Sequence, residues 1–290
     1  MAIWNLGSVN ADLVYRLPHL PAPGETLAAL SHQRGLGGKG ANMSVAAVRA
    51  GGDVHHIGAV GQDGVWMRDR LEDYGVGVAH IRVVDAASGH AIIALDGSGE
   101  NQIIIHPGAN ILVEMPVLED VLSRASAGDI AVFQNETNVQ RDFARAARDC
   151  GLRVCYAAAP FSVQAVRDVL DQIDILVMNA VEAAQLEAEM GLAVADIPVA
   201  DVVITLGADG CRWLHQGRER HFDAPRVTPV DTTGAGDTFT GYLLAALDNK
   251  QDMARAISRA QMAGAVMVTR LGTADVIPTQ DDIDQFFASF

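Results

Sequence analysis

Asp231-Thr232-Thr233-Gly234-Ala235-Gly236-Asp237-Thr238 sets a carboxylate on either side of a Gly-Ala-Gly step. Beyond it Phe239, Leu243, Ala246 and Leu247 recur at helical spacing, so the step falls where a helix begins and its first-turn N–H groups lack partners within the helix. Those groups and the helix dipole favour negative charge, and residues as small as Gly and Ala let an anion reach the backbone. Asp237 would repel a phosphate from that turn unless it faces a hydroxyl. Two readings stand. Asp237 caps or complements the dipole of a buried helix, or it is a general base that takes the proton of an attacking alcohol. In the second case the amides of Gly234, Ala235 and Gly236 hold charge developing on a transferred phosphoryl group.

The rest of the chain supplies a sheet for that helix. Ile130 to Phe133, Arg153 to Ala157, Ile175 to Met178 and Val202 to Leu206 read as nearly continuous apolar strands, with helices near 139 to 149, 163 to 171 and 180 to 190. Such alternation predicts a parallel sheet covered on both faces. Trp213 and Phe222 mark a late hairpin over Gln216-Gly217, and helices are expected over 234 to 247, 252 to 268 and 280 to 289. Toward the N-terminus, Ile3 to Val9 reads as a first buried strand that places Asn10 and Asp12 at its C-terminal mouth, the edge where ligands of open α/β sheets collect. An Asx turn is the plain alternative there. Leu27 to Gln33 is a weak strand, Val54 to Val60 a stronger one, Asp63 to Tyr74 an amphipathic helix and Ile81 to Val84 a short strand. His90 to Leu95 and Gln102 to Ile105 form a predicted hairpin, which with residues 13 to 33 makes a small sheet beside the core.

Composition narrows the partners. The chain has 290 residues, 49% hydrophobic and 20% charged, with a formal charge of −15, which disfavours nucleic acid and anionic membranes. No apolar run approaches the ~18 residues of a membrane span, and the start lacks the pattern of a signal peptide, so a cytoplasmic location is expected. Cys150, Cys155 and Cys211 show no ligand spacing and no even-numbered disulfide framework. Among 21 basic residues, lysine appears only at Lys39 and Lys250.

Lys39 lies in Gly35-Leu36-Gly37-Gly38-Lys39-Gly40-Ala41-Asn42, which opens a helix carrying Ala41, Val45 and Val48 on one face. Gly35-x-Gly37-x-x-Gly40 formally fits a dinucleotide fingerprint, with Asp63 at a usable distance, so an NAD-dependent oxidoreductase is the main rival. Against it, the residues before Gly35 do not read as a buried strand, and the fingerprint leaves 231 to 238 unexplained. No Walker sequence is present.

Asp231-Thr-x-Gly-Ala-Gly-Asp237-Thr238 resembles the C-terminal signature of the ribokinase-like, or PfkB, family of carbohydrate and nucleoside kinases. Gly37-Gly38-Lys39-Gly40-Ala41-Asn42, followed by Ala46-Ala47 and Gly51, resembles its N-terminal signature. Gly7-Ser8-Val9-Asn10-Ala11-Asp12, Pro23-Gly24-Glu25 and His106-Pro107-Gly108-Ala109-Asn110 are similar to the ribokinase branch. The resemblance implies one kinase domain over 1–290. It would have a three-layer αβα core with a mainly parallel sheet and a small β-sheet lid, from segments about 13–34 and 89–106. It implies ATP-dependent phosphorylation of a primary hydroxyl, D-ribose to ribose 5-phosphate first, with a nucleoside such as pseudouridine, another pentose or a ketohexose as alternatives. A sugar-binding regulator without catalysis is the alternative of another class.

The resemblance also assigns roles. Asp237 becomes the base and Gly234, Ala235 and Gly236 the anion hole. Asn10, Asp12, Gly38, Lys39, Asn42 and Glu136 hold the sugar. Asn179 and Glu182 organise Mg²⁺ and phosphate largely through water, although alone they read as an ordinary helix N-terminus. Thr205 and Gly207 line the nucleotide. Asp231, Thr233 and carbonyls near Met267, Arg270 and Gly272 form a K⁺ site, with Val276 where ribokinases carry Ser. The lids of two subunits clasp in that branch, so a homodimer is expected. One departure touches the fold: between Met190 and Val202 the chain is shorter than its relatives by roughly one helix.

Overall fold

In the computed structural model, which describes residues 1–288, the strands in chain order are β1 (Ile3–Leu6), β2 (Asn10–Arg16), β3 (Ser31–Gly37), β4 (Val54–Gly61), β5 (Gly77–Val84), β6 (Gly89–Leu95) and β7 (Asn101–His106). They continue with β8 (Ile130–Phe133), β9 (Arg153–Ala157), β10 (Ile175–Asn179), β11 (Asp201–Thr205), β12 (Cys211–His215) and β13 (Arg218–Phe222). The helices are α1 (Lys39–Arg49), α2 (Val65–Asp73), α3 (Met115–Arg124), α4 (Gln140–Asp149), α5 (Val163–Val169), α6 (Ala180–Met190), α7 (Ala235–Asp248), α8 (Met253–Met267) and α9 (Gln280–Ala288).

A nine-stranded sheet runs β13-β12-β11-β10-β9-β8-β1-β4-β5. It is parallel from β11 through β5, while β12 and β13 add antiparallel at one edge. β1 sits between β4 and β8 in register Ile3↔Val54 and Ile3↔Ile130, and its residues alternate between two apolar layers. Ile3 joins the layer under α1, α7 and α8, with Val45, Leu243 and Ile257, whereas Trp4 and Leu6 join Phe133, Phe143 and Leu186 on the other face. A strand buried on both faces has to be apolar almost throughout, which is why these segments were readable. The sandwich of helices around a mostly parallel sheet is the expected α/β core.

The small sheet that the sequence predicts beside the core is present, and it has four strands in the order β3-β2-β6-β7. Its entry differs from expectation. The predicted strand over Ile3 to Val9 ends at Leu6, and Asn10 already begins β2, paired with Gly37 and Gly89. The break falls where α1 presses on the chain: a Cβ added to Gly7 would lie 2.5 Å from the Cα of Gly40. The weak strand placed at Leu27 to Gln33 begins only at Ser31 and continues to Gly37, so Gly35 and Gly37 belong to a lid strand rather than to the helix start. α3 is an addition to the sequence reading, and β5 starts at Gly77, earlier than expected. Between α6 and β11 a single 3₁₀ turn, Val194–Asp196, stands where relatives are expected to carry a second helix, and Val194, Ile197 and Val199 are buried there. The crossing still closes: β10 and β11 pair in parallel to Asn179↔Thr205. Residue 289, in the predicted last helix, lies outside the described residues. Among the described residues, no helix is long and apolar enough to cross a membrane.

Candidate active site

Parallel strands bring their C-terminal ends to one edge, and the predicted residues gather there because they lie at those ends or at the first turns of α1, α6 and α7. A cavity of about 230 Å³ opens at this edge, lined by Lys39, Asn179, Glu182, Thr205, Gly236 and Asp237, with Gly234 beside them. Gly207, in the turn after β11, stands outside that lining.

Asp237 is in the first turn of α7 and only 8% exposed. Asn42, one turn into α1, donates from Nδ2 to its Oδ2 at 2.9 Å, while the buried Oδ1 of Asn42 has no partner among the described residues. Burial pushes the Asp237 carboxyl up, Lys39 and the Asn42 bond pull it down, and Glu136 pushes it up again. Lys39 is itself raised, first by the charge of Asp237 and also by Glu136 and Glu182, although burial pulls it down. One ammonium therefore serves several carboxylates. At the α7 start the Ala235 N–H reaches Thr232 O at 3.3 Å and the Thr238 N–H reaches Gly234 O at 2.8 Å. The N–H groups of Gly236 and Asp237 have no acceptor among the described residues, so this turn keeps donors free for an anion.

The start of α1 is arranged differently. Its Lys39 N–H donates to Glu136 Oε2 at 3.1 Å, its Gly40 N–H to Ser8 Oγ at 3.3 Å and its Ala41 N–H to Ser8 O at 2.9 Å. Ser8 Oγ donates in turn to Glu136 at 2.5 Å. Below them Asn5, the one polar residue of β1, donates to Gly40 O at 2.8 Å and Ser44 Oγ at 2.9 Å. These bonds fix the glycine loop to the sheet and leave Lys39 and Asn42 projecting into the site.

Asn10 and Asp12 lie on β2, outside the lining of that cavity, with Asp12 close enough to Glu136 and Asp237 for their charges to act on it. Asn110 donates from Nδ2 to Asn10 Oδ1 at 2.7 Å and accepts from the Val9 N–H at 2.9 Å, which holds the chain where it leaves β1 for the lid. Asp12 lies over Gly37, where an added Cβ would come within 2.1 Å of its Oδ2. Its carboxyl is pushed up to about 6, chiefly by burial, with a Thr273 bond lowering it and the charges of Glu136 and Asp237 adding to the rise.

Asn179 and Glu182 form a capping box on α6: Asn179 Oδ1 accepts the Glu182 N–H at 2.9 Å and Glu182 Oε2 accepts the Asn179 N–H at 2.8 Å. The structural reading of this pair is thus realised, and Glu182 still lines the cavity. Thr205 Oγ1 donates to Met178 O at 3.4 Å. Asp231 accepts the Thr233 N–H at 2.9 Å and the Gly272 N–H at 3.2 Å, and Met267 O accepts the Arg270 N–H at 3.0 Å. The Asp231 N–H donates to Val268 O at 3.1 Å, which brings the Asp231–Thr233–Gly272 set beside Met267 and Arg270. The Val276 methyls stand 3.5 to 3.6 Å from where a Gly272 Cβ would lie. Both Asp231 carboxylate oxygens accept backbone N–H groups here. Among the described residues, no group of three or more His, Cys, Asp or Glu side chains could hold a metal ion.

Ser8, Asn110 and Thr273 support the site and were assigned no role from the sequence. Ser8 and Asn110 sit inside quoted motifs, whereas Thr273 carries no periodic or motif signal. The dinucleotide alternative fails on position, since its glycines straddle an exposed lid strand.

Fold and site together define an α/β phosphotransferase. The model of the pfkB family carbohydrate kinases matches residues 3–280, and the chain belongs to that family of ATP-dependent enzymes. It is 34% identical over 299 residues to the ribokinase of Haemophilus influenzae, covering 97% of this chain and 96% of that one. The structure of ribokinase from Thermotoga maritima superposes with a TM-score of 0.89 at 28% identity, over 99% of each chain. Arabidopsis thaliana ribokinase complexed with ribose and ATP gives 0.88 at 28% identity, over 98% of each.

Proposed function

We propose that the chain transfers the γ-phosphoryl group of ATP to the primary hydroxyl of D-ribose, giving ribose 5-phosphate and ADP. The observation that carries this reading is the buried Asp237–Asn42 pair, whose open Asn42 Oδ1 needs a hydroxyl donor beside a carboxylate base. The Haemophilus relative is a ribokinase, and the Arabidopsis neighbour was solved with ribose and ATP. Asp237 takes the proton, the hydroxyl oxygen forms its bond to the γ-phosphorus, and the bond to the bridging oxygen of ADP breaks. The free amides of Gly236 and Asp237, with those of Gly234 and Ala235 around them, stabilise the phosphoryl group in flight. Lys39 offsets the charge of Asp237 and the phosphates. Asn10, Asp12, Gly38, Asn42 and Glu136 hold the sugar, and the lid closes over it to exclude water. Thr205 and Gly207 border the nucleotide. Asn179 and Glu182 would hold Mg²⁺ with the phosphates, and the ion would supply further charge neutralisation.

An ADP-release assay across D-ribose, other pentoses, ketohexoses and nucleosides tests the substrate. The highest kcat/KM belongs to ribose, and a nucleoside or hexose in that place would overturn the assignment. Asp237→Asn should keep the fold and sugar affinity while turnover falls about 10²- to 10⁴-fold. Near-normal kcat in that variant removes Asp237 as the base, and binding of sugar and ATP without turnover in the parent enzyme points to a regulator. At the Asp231 site a bound K⁺ would brace the α7 turn, so activity should rise with K⁺ at constant ionic strength. Equal rates in K⁺ and in a bulky organic cation count against it.

A further inference from the structure

Between α8 and α9 the chain makes an irregular segment that is pinned from several sides. The Asp275 carboxylate takes the Arg70 guanidinium at 3.1 Å and the Tyr74 hydroxyl, Arg49 holds the carbonyl of Ile277, and Arg270 donates to Val276 O at 3.0 Å. Two adjacent residues of this segment face the site. The Gly272 N–H donates to Asp231 Oδ2, and Thr273 Oγ1 stands 2.9 Å from Leu36 O and 3.2 Å from Asp12 Oδ2.

A hydroxyl has one hydrogen, and here it meets two acceptors. We propose that Thr273 is a positioning residue for Asp12, holding the carboxylate in its sugar-facing orientation and ionised state through a hydroxyl that divides between Asp12 and Leu36. When Asp12 is ionised, the charge-assisted bond draws the hydrogen to Oδ2. When Asp12 is protonated, it can donate to Thr273 Oγ1 while the hydroxyl turns to Leu36 O, so both arrangements are fully bonded. The carboxylate has little other support. Glu136 and Asp237 face it and disfavour its charge. Gly37 beneath it offers no side chain. Thr273 is thus a side-chain donor that favours the charged form, and the pinned segment keeps it in place.

The inference rests on Asp12 as the sugar ligand, and the experiment separates the two. Thr273→Val removes the hydroxyl at nearly constant shape. It should raise the ribose KM about tenfold at neutral pH, with kcat and the ATP KM changed less than about twofold. The acid limb of kcat/KM for ribose should move to higher pH, because loss of the donor favours protonated Asp12. Thr273→Ser should restore both. In an Asp12→Ala background, Thr273→Val should add nothing. If Asp12→Ala loses ribose affinity while Thr273→Val changes neither KM nor the acid limb, the role of Thr273 is wrong and the sugar site stands. Unchanged ribose affinity in Asp12→Ala overturns both. An equal loss for ATP, or no rescue by serine, shows a structural role only.

Discussion

Asp12 is a carboxylate that the fold tolerates rather than welcomes. Its carboxyl is pushed up to about 6 by burial, against an ordinary value of 3.8. The folded chain therefore holds this proton more tightly than the unfolded chain, so stability from this group is present below the unfolded value and is lost as pH rises toward 6. Asp12→Asn removes that penalty. At pH 7 the variant should be more stable than its parent, on the order of 1–3 kcal/mol, and the difference should vanish near pH 4. Its ribose affinity should fall at least about tenfold with the loss of a charged acceptor. Melting curves at the two pH values and ribose titrations check both halves, and a parent that is more stable at pH 7 than Asp12→Asn would contradict the sign. Sequence reading named Asp12, Asn42 and Asp237 as candidates because their motifs are local. It gave Asn110 and Thr273 no role, since each acts across a fold distance that one short motif does not encode.

At the scale of elements, α6 shows how one pair can serve two ends. Asn179 and Glu182 cap the helix reciprocally, and Glu182 lines the cavity as well. Glu182→Gln keeps a side chain able to complete the box, so stability should change by less than about 0.5 kcal/mol. If Glu182 also organises Mg²⁺, the Mg²⁺ concentration for half-maximal activity should rise several-fold in the same variant. Unchanged Mg²⁺ dependence would leave the capping role alone. Elements buried on both faces, such as β8 to β11, were legible as apolar runs. β2 and β3 were not placed well, because lid strands have one solvated face and mixed residues, and their boundaries follow from the Gly7–Gly40 approach. α3 was open to reading, with Val117, Leu118 and Val121 on one face behind Pro116 in its first turn.

For the whole molecule, the lid sheet is open at both of its edges. β3 and β7 are its open edges, and Ile103, Ile104 and Ile105 on β7 are 53%, 66% and 55% exposed. Open, apolar edges pair readily, so a homodimer through the lid is expected. Sedimentation should show a species of twice the 30.7 kDa chain mass at micromolar concentration, whereas a fully active monomer would rule the dimer out. At the opposite edge, Val194, Ile197 and Val199, with Ala183 and Leu186 of α6, cover β11 and β12 in place of a second helix. Three side chains from a turn seal a sheet less firmly than a helix does, so the hydrogens of the β11–β13 amides should exchange with solvent through a smaller opening than those of β1 and β8, which amide exchange checks. The edge that carries Thr205 and Gly207 should therefore open to exchange before the segment that carries Asn10 and Asp12, which leaves β1 where that strand is paired on both sides.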